Sequence, residues 1–275
     1  MHRSPKVSVI MGIYNCEDTL SESIESIINQ TYKDWELIIC DDASTDSSYK
    51  IACHYAKRYS NKIIVIRNNE NIKLAGTLNK CLSIAAGEYI ARQDGDDISL
   101  INRLEKQVDF LDNNLHYMVV GTGMIPFDDL GENGIRIGKP EPRKEDIPKN
   151  RIFMHATIMM RREAYMALNG YRVATRTRRA EDFDLWIRFF AKGYRGYNLQ
   201  EALYKVREDN SAFARRRFKH YTDLSLLIFL ACKTLKLPIK YYLFMLKPLI
   251  IGLCPTLIVR NYHRFKDSVI NEKSI

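Results

Sequence analysis

Glu36-Leu37-Ile38-Ile39-Cys40-Asp41-Asp42-Ala43-Ser44 decides the fold, because an apolar run stops abruptly at two carboxylates. The run has the length of a strand. Its lack of polar alternation predicts a strand buried on both faces. The polar stop marks the carboxyl end of that strand, where open parallel sheets bind their ligands.

The same pattern recurs on either side. Val7-Ser8-Val9-Ile10-Met11-Gly12-Ile13 reads as a buried strand ending at Tyr14 and Asn15, and Ile63-Ile64-Val65-Ile66 as another. Tyr89-Ile90-Ala91 is a short strand that runs into Arg92-Gln93-Asp94-Gly95-Asp96-Asp97. Between the strands lie helical patterns. Residues 17–30 place Leu20, Ile24, Ile27 and Ile28 at helical spacing. A second helix is expected from a cap at Ser44 or Thr45 to about Arg58, and a third over residues 74–86, stopped by Gly87. Strands alternating with helices predict an α/β domain with a mostly parallel sheet and helices on both faces. Further along come a helix over 104–111, a strand at Met118-Val119-Val120, a loop rich in glycine and proline over 126–148, and helices over 161–168 and 182–190.

Composition sets the bounds. With 275 residues, 46% of them hydrophobic, the chain supports a large core, and global disorder is excluded. The six cysteines have no CxxC spacing, so reduced, buried thiols are expected. The start of the chain enters a strand directly and has no apolar stretch of signal-peptide length, so the expected location is cytoplasmic. The net charge of +9 is concentrated in one place: from Phe213 onward there are 12 Lys/Arg and 3 Asp/Glu. This divides the chain into a domain over 1–212 and a basic, amphipathic helical tail over 213–275. The apolar runs 224–232 and 249–259 are shorter than the ~20 residues of a spanning helix. They suit helices that lie on a membrane surface or pack against the domain. The tail's aromatics sit among apolar runs, a pattern that does not favour nucleic acid.

Three strand ends carry polar residues: Tyr14 and Asn15, Asp41 and Asp42, and the acidic turn from Asp94 to Asp97. Taken alone, the turn is better explained as a solvated loop. Convergence of all three on one crevice points to a site. Packed carboxylates repel one another, so a cation is expected, and hard ions such as Mg²⁺ or Mn²⁺ take such oxygens together with substrate phosphates. Gly95 would let the backbone turn and approach a ligand. Counting from Asp94, Ile98 and Ser99 stand where a calcium loop needs an acceptor and a glycine. No phosphate-binding GxxxxGK[ST] occurs, and Gly121-Thr122-Gly123 lacks the third glycine of a dinucleotide motif. Downstream, Glu181, Asp182 and Asp184 open a helix beside Arg176, Arg178 and Arg179, either as caps and dipole partners or as part of a site. Trp186 and Arg188 read as helix packing or as substrate contacts.

An ordered set of segments resembles the family 2 glycosyltransferases of GT-A fold: PKVSVIMGIYN (5–15), SIINQTYKDWELIICDDASTD (26–46), LNKCLSIAAGEYIARQDGDD (78–97), HATIMMRREAYMALNGY (155–171) and AEDFDLWIRF (180–189). The resemblance spans about residues 5–210. It implies transfer of a sugar from a nucleotide-diphospho-sugar, a UDP-sugar above all, with Mn²⁺ or Mg²⁺ as cofactor and inversion at the anomeric carbon. Position by position, it implies that Tyr14 stacks near the base and that Asp42, with Asp41, bonds uracil. It further implies that Asp94 and Asp96 form the DxD pair, Asp96 being the direct metal ligand, and that Asp182 is the general base. Lys73, Arg207 and the run Arg215, Arg216 and Arg217 are candidates for the diphosphate, and Asp97 supports the turn. The segments DGDD, RTRRAEDFDLWIRFF (176–190) and YRGYNLQEALYKVRED (194–209) resemble members that build extracellular (biofilm) polysaccharide on a lipid-linked acceptor. That implies a peripheral position at the inner membrane face. Those members are also associated with a clutch role on the flagellar rotor protein, which is the alternative reading.

Overall fold

A computed structural model of the protein describes residues 4–149, 152–177, 180–208 and 218–253. Its first half is an alternation of strand and helix: β1 (Val7–Ile13), α1 (Leu20–Ile28), β2 (Trp35–Asp41), α2 (Ser48–Arg58), β3 (Ile63–Arg67), α3 (Lys73–Ile84) and β4 (Tyr89–Arg92). These four strands are parallel neighbours in the order β3-β2-β1-β4. Next come β5 (Ile98–Ser99), α4 (Arg103–Asn113), β6 (Val119–Asp128), β7 (Gly131–Glu132), β8 (Met159–Arg161), α5 (Arg162–Ala167), α6 (Glu181–Ala191) and β9 (Gly196–Arg207). They extend the sheet as β4-β8-β6-β9-β5, with β7 on β6. Here antiparallel pairing dominates: β8 runs against both β4 and β6, and β5 against β9. The sheet is therefore parallel in its first half and mixed in its second.

Both faces of the sheet are covered, as the unalternating apolar runs require. Successive strand residues point to opposite faces. Val9, Met11, Leu37 and Ile39 join a core under α1, α2 and α4, with Leu20, Ile24, Tyr55 and Leu104. Ile10, Ile38 and Cys40 join the other core, under α3, α5 and α6, with Leu78, Tyr165, Phe183 and Trp186. Part of the basic tail belongs to this second core. Helix α7 (Phe218–Thr234) contributes Leu227, Ile228, Ala231 and Cys232, followed by Leu235 and Leu237. A 3-10 segment (Ile239–Met245) and α8 (Leu246–Leu253) lie over α7. Among the described residues, no helix is long and apolar enough to cross a membrane. Among the described residues, Cys16, Cys40, Cys53, Cys81 and Cys232 are free thiols; Cys40, Cys81 and Cys232 are buried as expected, whereas Cys16 and Cys53 are only partly so.

Local expectations failed where side chains found other partners. Ser44 and Thr45 do not cap α2. The left-handed backbone of Ala43 (φ 59°) delays the helix, and the Asp46 carboxylate accepts the Ser48 N–H at 2.9 Å. Helix α1 begins at Leu20 rather than residue 17, because Glu17 accepts the Ser47 N–H across the loops. The region 126–148 is not all loop: β6 runs through Pro126, which pairs in parallel register with Val206. Strands β8 and β9 fall where no strand was anticipated. A short run such as Met159-Met160-Arg161 carries no period of its own.

Candidate active site

The order β3-β2-β1-β4 sets the carboxyl ends of β2, β1 and β4 side by side, so the three polar strand ends do converge. Tyr14 leaves β1 about half exposed at the mouth. The next residue, Asn15, has a left-handed backbone (φ 49°), and its side chain receives the Thr45 N–H at 2.9 Å. That bond clasps the β1 and β2 loops together.

Asp41 and Asp42 are both buried but behave differently. The Asp42 carboxylate receives Asn68 Nδ2 at 2.7 Å, the Ile72 N–H at 2.9 Å and the Lys73 N–H at 2.9 Å. It anchors the first turn of α3, whose orphan N–H groups would otherwise go unpaired. Asp41 pairs through Oδ2 with Arg67 Nε at 2.9 Å, while its Oδ1 is buried with no donor. A buried acceptor without a donor is costly, so Asp41 holds the open hydrogen-bonding position of the pair.

The cation expected beside the acidic turn is partly built into the chain. Arg92, buried at the end of β4, donates from Nε and Nη2 to Asp94 Oδ1 at 3.1 and 2.9 Å. Arg92 stands inside the motif itself, and its guanidinium is the counter-ion that the sequence reading overlooked. The turn is pinned from several elements. The Asp94 N–H donates to the Tyr204 hydroxyl at 3.1 Å, and Ser23 donates to the Asp94 carbonyl at 2.7 Å. Asp97 Oδ1 accepts the Arg207 N–H from β9 at 2.9 Å. Asp97 is thus the structural member of the triplet; burial, then the charges of Asp94 and Asp96, push its carboxyl up. Gly95 does not need a left-handed backbone. It needs room, because a Cβ there would meet Cys16 Sγ at 3.0 Å and Ile13 Cγ2 at 3.1 Å.

Asp96 is the carboxylate left open to the crevice. Loss of surrounding water, together with the neighbouring Asp94 charge, pushes it up to about 6. Arg207 donates only to its backbone carbonyl, at 3.3 Å, and spends its other end on Glu22 at 2.9 Å. The donor set fits a hard divalent ion: an accessible carboxylate without a cation of its own, beside a second one shared with Arg92. Among the described residues there is no group of three or more metal-ligating side chains, so phosphate oxygens and water would have to complete the shell.

Asp182 opens α6 and accepts the Phe183 N–H at 2.7 Å. Burial raises its carboxyl, and it lies near enough to Arg92 and Asp94 for both charges to act on it. The charges of Arg92 and Asp94 thus act on Asp182 as they do on Asp96. The neighbouring acid Asp184 does not join it: buried, it is held by Arg172 and Arg188, each at 2.8 Å. Trp186 and Arg188 are packing residues, Trp186 fully buried against Phe153 and His155. Behind Arg92 the structure adds residues that the sequence did not single out. His155 Nε2 meets the Tyr171 hydroxyl at 2.9 Å, and Tyr171 meets Tyr165 at 3.0 Å. Burial, with Arg92 nearby, holds His155 well below the usual imidazole range, hence neutral. Lys73 is exposed at the start of α3 with a left-handed backbone (φ 71°). Arg178, Arg179 and the run Arg215, Arg216 and Arg217 lie outside the described residues.

The model of the family described as glycosyl transferase family 2 matches residues 8–168. The chain belongs to glycosyl transferase family 2. The transferase is 57% identical over 273 residues to EpsE of Bacillus subtilis (strain 168), which is named as a glycosyltransferase; the match covers 99% of this chain and 98% of that one. It is 32% identical over 202 residues to an Escherichia coli enzyme, the UDP-Glc:alpha-D-GlcNAc-diphosphoundecaprenol beta-1,3-glucosyltransferase WfaP, covering 73% of this chain and 77% of that one. In fold it is similar to the mannosyltransferase PcManGT of Pyrobaculum calidifontis in complex with GDP-Man and Mn²⁺. There the TM-score is 0.67 at 19% identity, over 92% of this chain and 71% of that one. The transferase has the GT-A fold, and the acidic turn follows β4 of its parallel half.

Proposed function

We propose that the transferase moves a sugar from a UDP-sugar to a lipid-linked saccharide in the synthesis of an extracellular, biofilm-type polysaccharide, with inversion. The observation that carries this is the acidic turn after β4, where Arg92 holds Asp94 and its charge reaches Asp96 and Asp182, with the open oxygen of Asp41 at the end of β2 two strands away. WfaP, whose name includes a UDP-sugar donor and a diphosphoundecaprenol acceptor, supports the donor and acceptor classes.

Each residue then has a role. Tyr14 offers a ring to the base, and the unpaired Asp41 Oδ1 offers an acceptor to a base N–H. Asp96, with Asp94, would hold Mn²⁺ or Mg²⁺ at the diphosphate. A divalent ion there supplies Lewis-acid stabilisation of the charge that develops on the leaving nucleotide diphosphate. Arg92 fixes the Asp94 carboxylate and adds positive charge beneath it. Asp182, raised by burial, takes the proton from the acceptor hydroxyl as that oxygen attacks the anomeric carbon. The glycosidic C–O bond to the diphosphate breaks on the opposite side. One base suffices for a single displacement, with no covalent enzyme intermediate. The basic tail, taken as the unit beyond residue 212, places the enzyme peripherally at the inner membrane face.

A donor screen with purified protein and Mn²⁺, read by thermal shift and nucleotide release, tests this. A UDP-sugar is expected to stabilise the chain only when the metal is present, and Asp96→Ala to abolish that shift. Asp182→Asn should keep the shift and lose transfer; full transfer in that variant sinks the base assignment. The alternative, a clutch acting on the flagellar rotor protein, rests on the resemblance alone. Failure of any rotor protein to co-purify with the chain removes it.

A further inference from the structure

The last described helices carry an apolar face that the core does not use. Ile239, Leu243, Leu246, Ile250 and Leu253 are between 47% and 83% exposed. They recur at steps of four, three, four and three. Within α8 that spacing puts Leu246, Ile250 and Leu253 on one side of the helix. The opposite side is already occupied: Pro248 is buried, and Gly252 lies so close to Tyr221 of α7 that a Cβ there would meet its ring at 2.9 Å. Ser225 of α7 donates to the Met245 carbonyl at 2.6 Å, fixing the two layers together. So this outward stripe is a surface held rigidly by a helix that is itself rooted in the core.

Charge selects its partner. From Leu224 to Lys266 the sequence contains seven Lys/Arg and no Asp/Glu. Of these, Lys233, Lys236, Lys240 and Lys247 are exposed on the same run of helices. A second copy of this chain would bring the same positive charge against itself. An anionic bilayer complements both features, taking apolar side chains at the headgroup boundary and lysines at the phosphates. We propose that the exposed side of α8 carrying Leu246, Ile250 and Leu253, together with the exposed Ile239 and Leu243 of the preceding segment and these lysines, is a docking surface for an anionic lipid bilayer. It deepens the membrane placement proposed above by assigning residues to it. It also explains how a chain with no spanning helix among its described residues would stay beside a lipid-linked acceptor.

The test is co-sedimentation of the full chain with phosphatidylcholine vesicles, with and without phosphatidylglycerol, in the absence of donor and acceptor. Binding is expected only with the anionic lipid and should weaken as salt rises. The double variant Leu246→Asp/Ile250→Asp should lose about tenfold or more in vesicle affinity while keeping the metal-dependent donor shift. Lys240→Glu/Lys247→Glu changes only exposed side chains. It should show the same loss even if the aspartate pair disturbs folding. Unchanged binding in both variants overturns the proposal. So does equal binding to neutral vesicles, or a dimer that the same substitutions abolish. Because no sugar is present, a failed vesicle assay leaves the transfer reaction standing, and a failed donor screen leaves the surface standing.

Discussion

Asp96 shows how one carboxylate can serve a site at the expense of stability. Its ordinary pKa is near 3.9, and in the folded chain it is pushed up to about 6. The folded state therefore binds the proton more readily than the unfolded state does. Folding stability is unaffected well below pH 4, falls as pH rises through the window up to about 6, and stays lowered above it. Asp96→Asn removes that dependence. The variant is expected to melt at a higher temperature than the wild type at pH 8, with the gap closing by pH 4; thermal melts across that range read it directly. A variant that melts below wild type at pH 8 would mean that Asp96 is held by attractive partners instead. Asp182 carries the same direction of shift, from burial, which raises its affinity for a proton as the proposed base role requires.

At the scale of elements, the strand ends depend on carboxylates that hold neighbouring elements in place. Asp42 ties the end of β2 to the start of α3 through the Ile72 and Lys73 N–H groups. Replacing it leaves both donors of a helix N-terminus without their acceptor, while the buried Asn68 amide keeps only Thr77 Oγ1 at 3.2 Å. Asp42→Ala is expected to cost about 1–3 kcal/mol of stability, measured by urea unfolding. Its effect on donor binding should follow from the displaced helix and be smaller than that of Asp41→Ala. Equal stability of Asp42→Ala and wild type would show that water replaces the carboxylate at no cost. The parallel half of the fold could be read at this scale because each strand announced itself by an apolar run and a polar stop. Strands β8 and β9 could not. Their residues become strand only by pairing with β4 and β6, partners distant in the chain.

At the scale of the whole molecule, the question is whether the tail is an appendage. Leu227 of α7 is buried in the same core as Ile10, Ile38 and Trp186. Leu227→Ala is expected to destabilise the entire chain by about 2–5 kcal/mol, with loss of helical signal and of donor-site protection in one transition. Two separate transitions would instead show α7 unfolding by itself. The same arrangement lets the outer apolar face of α8 act as a fixed surface, because the layer beneath it cannot peel away without opening the core.

By itself the sequence determined the alternation of strand and helix, the two-faced burial of the first four strands, the acidic turn and the family. These are local properties: period, run length and the residue types at strand ends. It also put Tyr14, Asp41, Asp42, Asp94 and Asp96 at the polar ends of strands, which the sheet order sets side by side. Only the tertiary structure decided what those residues do for one another. It gave Asp42 to a helix terminus and left Asp41 with an open oxygen. It supplied Arg92 as counter-ion to Asp94, spent Asp97 on β9, and set the downstream Asp182 within reach of their charges. The physical reason is that hydrogen bonds and charges act over a few ångströms in space. Residues such as Asp97 and Arg207, far apart in the chain, become partners only when the sheet closes between them.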